Sequence, residues 1–216
     1  MILPKIQIND YNEIFFDLDG VLLDTNSVKK QNISAAIAHK DPEFIREFVD
    51  YFVGNNGVPR EIKVARYFEE NEANLVLEQY ALLNEETLHK AAKVHGIEEF
   101  LASIAQLKKP IHVFTGGTEE ESRRLLELVG LLPFFEQVHG GPRTKAENFA
   151  RTTHQSPILM FGDSRSDHEF ALANGFDFVF VSGFTQFGKW VDYFKEHRIA
   201  AIIEDFRGFA SHKPIN

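Results

Sequence analysis

Two carboxylates, Asp17 and Asp19, follow a short apolar run that begins at Ile14. Side chains two residues apart on a strand point the same way, so both would face one pocket if the strand continues through them. Close carboxylates raise each other's pKa unless a cation lies between them. The spacing therefore predicts a divalent metal site, a shared proton, or both. The alternative is a polar strand end that caps a turn.

The composition of the 216-residue chain excludes several classes of function. A net charge of -9, without a Lys/Arg-rich run, disfavours a nucleic-acid-binding surface. The absence of Cys excludes disulfides and thiolate chemistry. No apolar segment approaches the roughly 20 residues that span a bilayer, and residues 1–5 do not resemble the start of a secretory signal. We therefore expect a cytoplasmic protein with no membrane partner and no nucleic-acid partner.

Short apolar runs alternate with helical patterns through the second half of the chain. The predicted helices are 119–128 (ended by Gly130), 145–153 and 167–174 (ended by Gly175), and the predicted strands are 111–115, 135–139, 158–162, 176–181 and 200–203. This alternation predicts an α/β fold with a doubly wound parallel sheet, Rossmann-like, covered by helices on both faces. Ligands bind at the carboxyl ends of such strands, where Asp17, Thr115 and Asp163 lie.

The segment between the first and second strands is helical in pattern and predicts a separate cap domain at 26–93, inserted into a core of 1–25 and 94–216. Helix starts are predicted at Asp41-Pro42 and at Asn84, and the Gly-rich stretch 54–59 interrupts the helices. Four aromatic residues have the helical spacing that predicts the core face of the cap: Phe44, Phe48, Tyr51 and Phe52.

Four segments resemble, in order, the motifs of the haloacid dehalogenase superfamily. The run Asp17-Leu18-Asp19-Gly20-Val21 resembles the first motif, and Val113-Phe114-Thr115-Gly116-Gly117 resembles the second. Lys145 resembles the third, and Gly162-Asp163 with Asp167 resembles the fourth. The resemblance covers about residues 12–182, and the helical insert after the first motif is similar to that of the phosphoglycolate-phosphatase-like branch. A member of this family is expected to be a phosphoric monoester hydrolase.

The resemblance implies a catalytic role for each carboxylate. Asp17 would be the nucleophile that forms an aspartyl-phosphate, and Asp19 would be the general acid and base, its pKa raised by the neighbouring charge. Mg²⁺ would be held by the Asp17 carboxylate, the Asp19 backbone carbonyl and Asp163, with Asp167 as a ligand or an orienting group.

The resemblance also implies the residues that bind the substrate. The Thr115 hydroxyl, the backbone N–H groups of Gly116 and Gly117, and the Lys145 ammonium would bind the phosphoryl group. Arg60, in the Gly-rich cap segment, could bind a carboxylate or a second anionic group of the substrate, although a solvated charge at a helix start is the alternative. The dehalogenase branch has no Asp at the position of Asp19, so its presence favours phosphoryl transfer over carbon–halogen hydrolysis.

These observations predict a Mg²⁺-dependent phosphatase that acts on a small phosphorylated metabolite, as a monomer or homodimer. A phosphomutase of the β-phosphoglucomutase type is the first alternative, and an inactive binding protein on the same fold is the second. The nine His residues form no H-x-x-x-H pair, and we expect His168 to be a surface residue.

Overall fold

The computed structural model describes residues 6–207 and contains one parallel six-stranded sheet. The strands follow the order β3-β2-β1-β4-β5-β6, so the chain starts in the middle, builds one side and then crosses to the other. They are β1 (Glu13–Phe16), β2 (Ile111–Thr118), β3 (Gln137–Gly141), β4 (Ile158–Gly162), β5 (Asp177–Val181) and β6 (Ala201–Ile203). Between β1 and its neighbours β2 and β4 lies the crevice in which doubly wound sheets bind ligands. The α/β fold is confirmed.

The central strands are apolar on both faces because helices cover both faces. Along β1, Ile14 and Phe16 belong to one buried cluster, whereas Phe15 belongs to another on the opposite face. The helices of the core are α5 (Ile97–Ala105), α6 (Glu119–Leu128), α7 (Lys145–Phe149), α8 (Arg165–Ala173) and α9 (Trp190–Glu196). This two-sided burial explains why the strands appear in the sequence as continuous apolar runs rather than as alternating patterns.

The first four helices after β1 pack around a hydrophobic cluster of their own. They are α1 (Asn26–Ala36), α2 (Pro42–Gly54), α3 (Arg60–Ala65) and α4 (Glu70–Thr87). Phe48 and Phe52 are buried in this cluster, which shares no residue with the two clusters beside the sheet. We use the name cap for residues 26–93. The division into cap and core remains a prediction, and its core part includes residues 1–5 and 208–216, which lie outside the described range.

Local signals in the sequence located some helix ends correctly and misplaced others. The Asp41 carboxylate caps α2 as predicted, by accepting the backbone N–H groups of Glu43 and Phe44, and Gly130 and Gly175 have the positive φ expected after α6 and α8. The helix start predicted at Asn84 is wrong, because Asn84 lies inside α4 and is buried.

Two further sequence expectations also need correction. The helix predicted to reach residue 153 ends at Phe149, and His168 is buried rather than on the surface. Its ring contacts the Tyr193 hydroxyl at 3.0 Å and the Arg198 carbonyl oxygen at 2.9 Å. Both partners come from α9 and the loop that follows it, so the buried ring is held by polar contacts. Within residues 6–207, no helix is long and apolar enough to cross a membrane.

Candidate active site

Asp17 lies directly after β1, at the carboxyl end of the central strand. Its backbone N–H donates to the Phe161 carbonyl oxygen at 2.9 Å, which continues the β1–β4 pairing by one residue. The chain then turns at Gly20, whose φ of 76° favours glycine. A side chain on Gly20 would collide with Asp163. The glycine therefore permits the turn and leaves space for the Asp163 carboxylate.

Asp163, in the loop after β4, and Asp167, in the first turn of α8, both approach Asp17. Oxygens of the three carboxylates lie within 4.8 Å of one another, and all three residues are buried. The Asn26 side-chain amide donates to Asp163 at 2.7 Å, while Asp167 accepts the backbone N–H and the hydroxyl of Ser164. These hydrogen bonds fix the direction of the carboxylates. The arrangement can hold a metal ion.

Lys145, at the start of α7, places its ammonium among the same carboxylates. Its Nζ donates to Asp17 Oδ1 at 2.6 Å and also to Asp167. The Thr144 hydroxyl and the Glu147 carboxylate form a capping box at the N-terminus of α7. Burial lowers the pKa of the ammonium, but the two carboxylates outweigh burial, so its pKa is raised and it stays charged.

One ammonium does not balance three buried carboxylates. Burial, followed by the charge of Asp167 and opposed by Lys145, raises the pKa of Asp17 from 3.8 to about 7. Burial and the nearby charges of Asp17 and Asp167 raise the pKa of Asp163 well above its ordinary value. A divalent cation would relieve this repulsion, and Mg²⁺ prefers hard oxygen ligands. The carboxylate set therefore fits such an ion.

Asp19 occupies a different environment, although it lies only two residues from Asp17. Its carboxylate accepts the Thr25 hydroxyl at 2.5 Å and lies 2.7 Å from the Lys29 ammonium. Burial raises the pKa of Asp19, but Lys29 and Thr25 lower it more, and the net pKa lies below the ordinary value. The expectation of a raised pKa is wrong for this structure, because Lys29 supplies a nearby positive charge.

The predicted phosphate-binding segment lies at the carboxyl end of β2. The Gly117 backbone N–H donates to the Thr115 hydroxyl at 3.1 Å, and Thr115 is buried. Gly116 lies against the backbone of the cap, because a methyl group added to it would be 2.8 Å from the Gly57 carbonyl carbon. Because Gly116 and Gly117 have no side chains, their backbone can approach a phosphoryl group more closely than the backbone of other residues could.

The loop between α2 and α3 of the cap contacts the core around the site. The Ser166 hydroxyl donates to the Asn56 carbonyl oxygen at 2.5 Å, and the Asn56 amide lies 3.3 Å from the Gln186 side chain. Asp17, Asp19 and Asp163 line a cleft that this loop borders. The cap thus covers the carboxylates.

Arg60 and Lys63 are two of the cap cations that line this cleft, and they have different partners. Arg60 Nη1 donates to Glu121 Oε2 at 2.9 Å, and its guanidinium lies 5.3 Å from the centroid of the Tyr80 ring. Lys63 Nζ donates to the Phe52 carbonyl oxygen at 3.2 Å. In residues 6–207, Lys63 forms no ion pair with a carboxylate. Burial, together with the charge of Lys29, lowers the pKa of Lys63 to about 7.

The structure brings eight of the nine predicted site residues to one edge of the sheet and places the ninth, Arg60, at the start of α3 in the cap beside it. Among the lining residues that the sequence did not indicate are Asn26, Lys29, Tyr80 and Glu121. Asn26 and Lys29 lie in the first turn of α1, directly after the first motif. Their closeness to that motif is the one feature of the sequence that could have indicated them as site residues. Tyr80 and Glu121 lie on α4 and α6 and reach the site only through tertiary packing.

Comparisons with known proteins agree with this geometry. A family model described as haloacid dehalogenase-like hydrolase matches residues 14–181. A phosphoglycolate phosphatase of Photobacterium profundum is 30% identical over 176 residues, which cover 71% of this chain and 76% of that protein.

Two solved structures share the fold at lower sequence identity. A predicted phosphatase from Clostridium acetobutylicum has a TM-score of 0.71 at 20% identity and covers 93% of this chain and 96% of its own. A predicted phosphoglycolate phosphatase from Haemophilus somnus 129pt has a TM-score of 0.71 at 17% identity, with 94% and 98% covered. At these identities the likeness shows the fold alone. The matches in sequence and motif show more: the chain belongs to the haloacid dehalogenase-like hydrolase family and is a phosphoric monoester hydrolase of it.

Proposed function

We propose that the protein is a Mg²⁺-dependent phosphatase of a small phosphorylated metabolite and that it acts through a phosphorylated Asp17. The observation that carries this proposal is the contact of the buried Asp17 carboxylate with Lys145, beside Asp163 and Asp167. A carboxylate held at the end of a central strand, next to an ammonium that can neutralise phosphate oxygens, is suited to in-line attack on phosphorus.

The first half-reaction would replace the ester bond of phosphorus by an acyl-phosphate bond to Asp17. An oxygen of Asp17 attacks phosphorus, the bond to the leaving oxygen breaks, and Asp19 donates a proton to that oxygen. Asp19 is ionised while it pairs with Lys29. A phosphoryl dianion that enters the site gives Lys29 a second anionic partner and so weakens the Lys29–Asp19 ion pair. The pKa of Asp19 then rises, so that Asp19 can carry the proton that it donates.

The second half-reaction would release inorganic phosphate. Asp19, now ionised, takes a proton from a water molecule that attacks phosphorus, and the bond from phosphorus to Asp17 breaks. Throughout, the Lys145 ammonium, the Thr115 hydroxyl and the backbone N–H groups of Gly116 and Gly117 would hold the phosphoryl oxygens. Gly116 and Gly117 line the cleft, Thr115 directly precedes them, and Lys145 contacts Asp17, which also lines the cleft; these positions support the proposal.

The carboxylates of Asp17 and Asp163 and the Asp19 backbone carbonyl would hold Mg²⁺, with Asp167 as a ligand or as the group that orients Lys145. The ion, when bound, would neutralise charge on the phosphoryl oxygens and on the nucleophile. The raised pKa values of Asp17 and Asp163 support this assignment, because they reflect burial and the repulsion between carboxylates, both of which a bound cation would offset.

The cap covers the carboxylates and offers positive charge to a substrate in the cleft. A second anionic group would reach Arg60 only in competition with Glu121, which already binds the guanidinium. Lys63 has a backbone carbonyl and the Phe52 ring as its neighbours, so it is the cation that an anion would engage with less competition. The similar Photobacterium protein is named a phosphoglycolate phosphatase, and phosphorylated carboxylic acids are therefore the first substrates to assay.

A panel of phosphomonoesters, assayed with Mg²⁺ and with excess chelator, tests the proposal. We expect release of inorganic phosphate from at least one small substrate, its loss with chelator, and its recovery when Mg²⁺ is restored. Absence of hydrolysis across the panel would overturn the proposal. Isomerisation of a hexose phosphate without net release of phosphate would instead support the phosphomutase alternative.

A further inference from the structure

A second cluster of ligand-type side chains lies at the opposite edge of the sheet, where the strands begin. Glu13 is the first residue of β1, His112 is the second residue of β2, and His154 lies in the loop before β4. A carboxylate oxygen of Glu13 and one ring nitrogen of each His lie within 4.8 Å of one another. The active site occupies the carboxyl ends of the same strands, so this cluster plays no part in the proposed reaction.

The distances within the cluster are close to those between ligands of one metal ion. His154 Nδ1 lies 2.7 Å from Glu13 Oε2, and His112 Nε2 lies 3.5 Å from the same oxygen. Ligand atoms about 2.0–2.1 Å from a tetrahedral Zn²⁺ are separated from each other by about 3.4 Å. A small opening of the Glu13–His154 contact would therefore admit an ion.

His112 lacks a complete set of hydrogen bonds. Among the described residues, its buried Nδ1 has no hydrogen-bond partner, and its side chain is only 5% exposed. Burial lowers the pKa of His112 to about 4, with the Glu13 charge only partly opposing it. A buried ring nitrogen without a hydrogen-bond partner is uncommon in folded proteins and indicates that this cluster is incomplete.

Neighbouring groups already orient the other two side chains. Glu13 Oε1 accepts the Gln155 backbone N–H at 2.5 Å, which leaves Oε2 directed at the two rings. The second ring nitrogen of His154, Nε2, contacts the Thr152 hydroxyl at 2.5 Å, and the ring stacks on Phe149 with centroids 4.6 Å apart. Metal-binding His residues are held in this way, by a polar partner on the nitrogen that does not bind the metal.

We propose that Glu13, His112 and His154 form a second metal site, for a divalent transition-metal ion of the Zn²⁺ type. Two imidazoles and one carboxylate match a His₂Glu zinc set, whereas Mg²⁺ and Ca²⁺ prefer oxygen ligands alone. The three ligands come from segments far apart in the sequence. The ion would tie the start of β1 to the start of β2 and to the loop before β4, and would stabilise the fold from the edge opposite the active site.

Zinc binding to the untagged, metal-free protein tests the proposal. Equilibrium dialysis against Zn²⁺, with Mg²⁺ in excess to occupy the catalytic carboxylates, measures the bound zinc per chain. We expect one bound Zn²⁺ in the wild type and in Asp163→Asn, and binding at least tenfold weaker in His112→Phe. Co²⁺ in place of Zn²⁺ should give a visible absorption band that is lost in His112→Phe and kept in Asp163→Asn.

The matched control is His139→Phe, which makes the same change in a neighbouring ring whose centroid lies 6.3 Å from that of His112 and which is not one of the three ligands. It should bind zinc like the wild type. If His112→Phe does not fold, Glu13→Gln keeps an acceptor for Gln155, removes the anionic ligand, and should weaken zinc binding by a similar factor. Zinc that binds unchanged in His112→Phe or Glu13→Gln, or that disappears in Asp163→Asn, would overturn the proposal.

Discussion

The side chains of Asp17 and Asp19 are chemically identical, but the fold shifts their pKa values in opposite directions. Burial raises the pKa of Asp17 to about 7, whereas Lys29 and Thr25 hold the pKa of Asp19 below its ordinary value. The two-residue spacing explains why both face the site, but it does not determine their charges. Those depend on a cap lysine ten residues further along the chain, which the spacing alone could not reveal.

The proposed role of Asp19 predicts that its importance depends on the leaving group. Asp19→Asn should lower kcat/KM by about 10²–10⁴ for an alkyl phosphate, whose leaving oxygen needs a proton. The loss should be at least tenfold smaller for p-nitrophenyl phosphate, because nitrophenolate leaves without protonation. Steady-state kinetics on both substrates measures the two ratios. Equal losses on both would indicate that Asp19 holds the metal or the fold rather than supplying the proton.

At the scale of secondary structure, the site depends on the contact of two glycine-containing loops. Gly116 at the end of β2 meets Gly57 of the cap, backbone against backbone. The Ser166 hydroxyl fixes the same cap loop from the side of α8. The position of the cap over the carboxylates is therefore set by close approach of main chains, and a single methyl group is enough to change it.

Gly116→Ala should displace the cap loop and impair substrate binding. The added methyl group would lie 2.8 Å from the Gly57 backbone, too close for either loop to keep its place. We expect kcat/KM to fall by at least about tenfold, since a displacement of about 1 Å can cost 10²-fold. The matched control is Gly54→Ala, in the last turn of α2, where a methyl group meets nothing within 4 Å. Steady-state kinetics with wild-type values for Gly116→Ala, or an equal loss in both variants, would contradict this view of the cap.

The elements that the sequence predicted well are those whose signals are local. The strand at 158–162 was located to the residue because two-sided burial makes it uniformly apolar, and α2 begins where Asp41 and Pro42 predict. Predictions failed where tertiary packing decides. Asn84 resembles a helix cap but lies inside α4, where it accepts the Asn32 side-chain amide at 2.8 Å. His168 is polar in sequence but is buried beneath α9.

The site was predictable to the same extent and for the same reason. Residues that follow strands, such as Asp17, Thr115 and Asp163, could be placed together because parallel strands end at one edge of a sheet. Lys29 and Glu121 could not, because their approach to the site depends on how the helices of the cap and the core pack against each other. Nevertheless, the charge of Lys29 lowers the pKa of Asp19, and the charge of Glu121 raises the pKa of Arg60.

For the molecule as a whole, the buried carboxylate cluster is a source of instability that a cation should remove. The pKa of Asp163 in the folded state is raised well above its ordinary value of 3.8. Between these two pKa values the native state retains a proton that the unfolded chain has lost. Stability therefore falls as pH rises through this range, because the unfolded state binds fewer protons. The effect should be largest in the absence of metal.

Asp163→Asn should stabilise the metal-free protein while it removes activity. We expect a gain of about 1–2 kcal/mol near neutral pH, of the size seen when strained site residues are replaced, or about 2–4 °C in Tm per kcal/mol. The gain should shrink towards pH 4 and in saturating Mg²⁺. Thermal unfolding at a series of pH values measures it, with the exposed Asp50→Asn as the control. A variant less stable than the wild type at neutral pH without metal would contradict the assignment.

The central claim is that Asp17 is the nucleophile of a Mg²⁺-dependent phosphatase. Release of p-nitrophenol from p-nitrophenyl phosphate by the wild type and by Asp17→Asn, each with Mg²⁺, tests it most directly, and Asp10→Asn, which changes an exposed carboxylate on the same segment, is the control. The account predicts Mg²⁺-dependent turnover in the wild type and in Asp10→Asn, and none above background in Asp17→Asn. Equal turnover in Asp17→Asn and the wild type would contradict it.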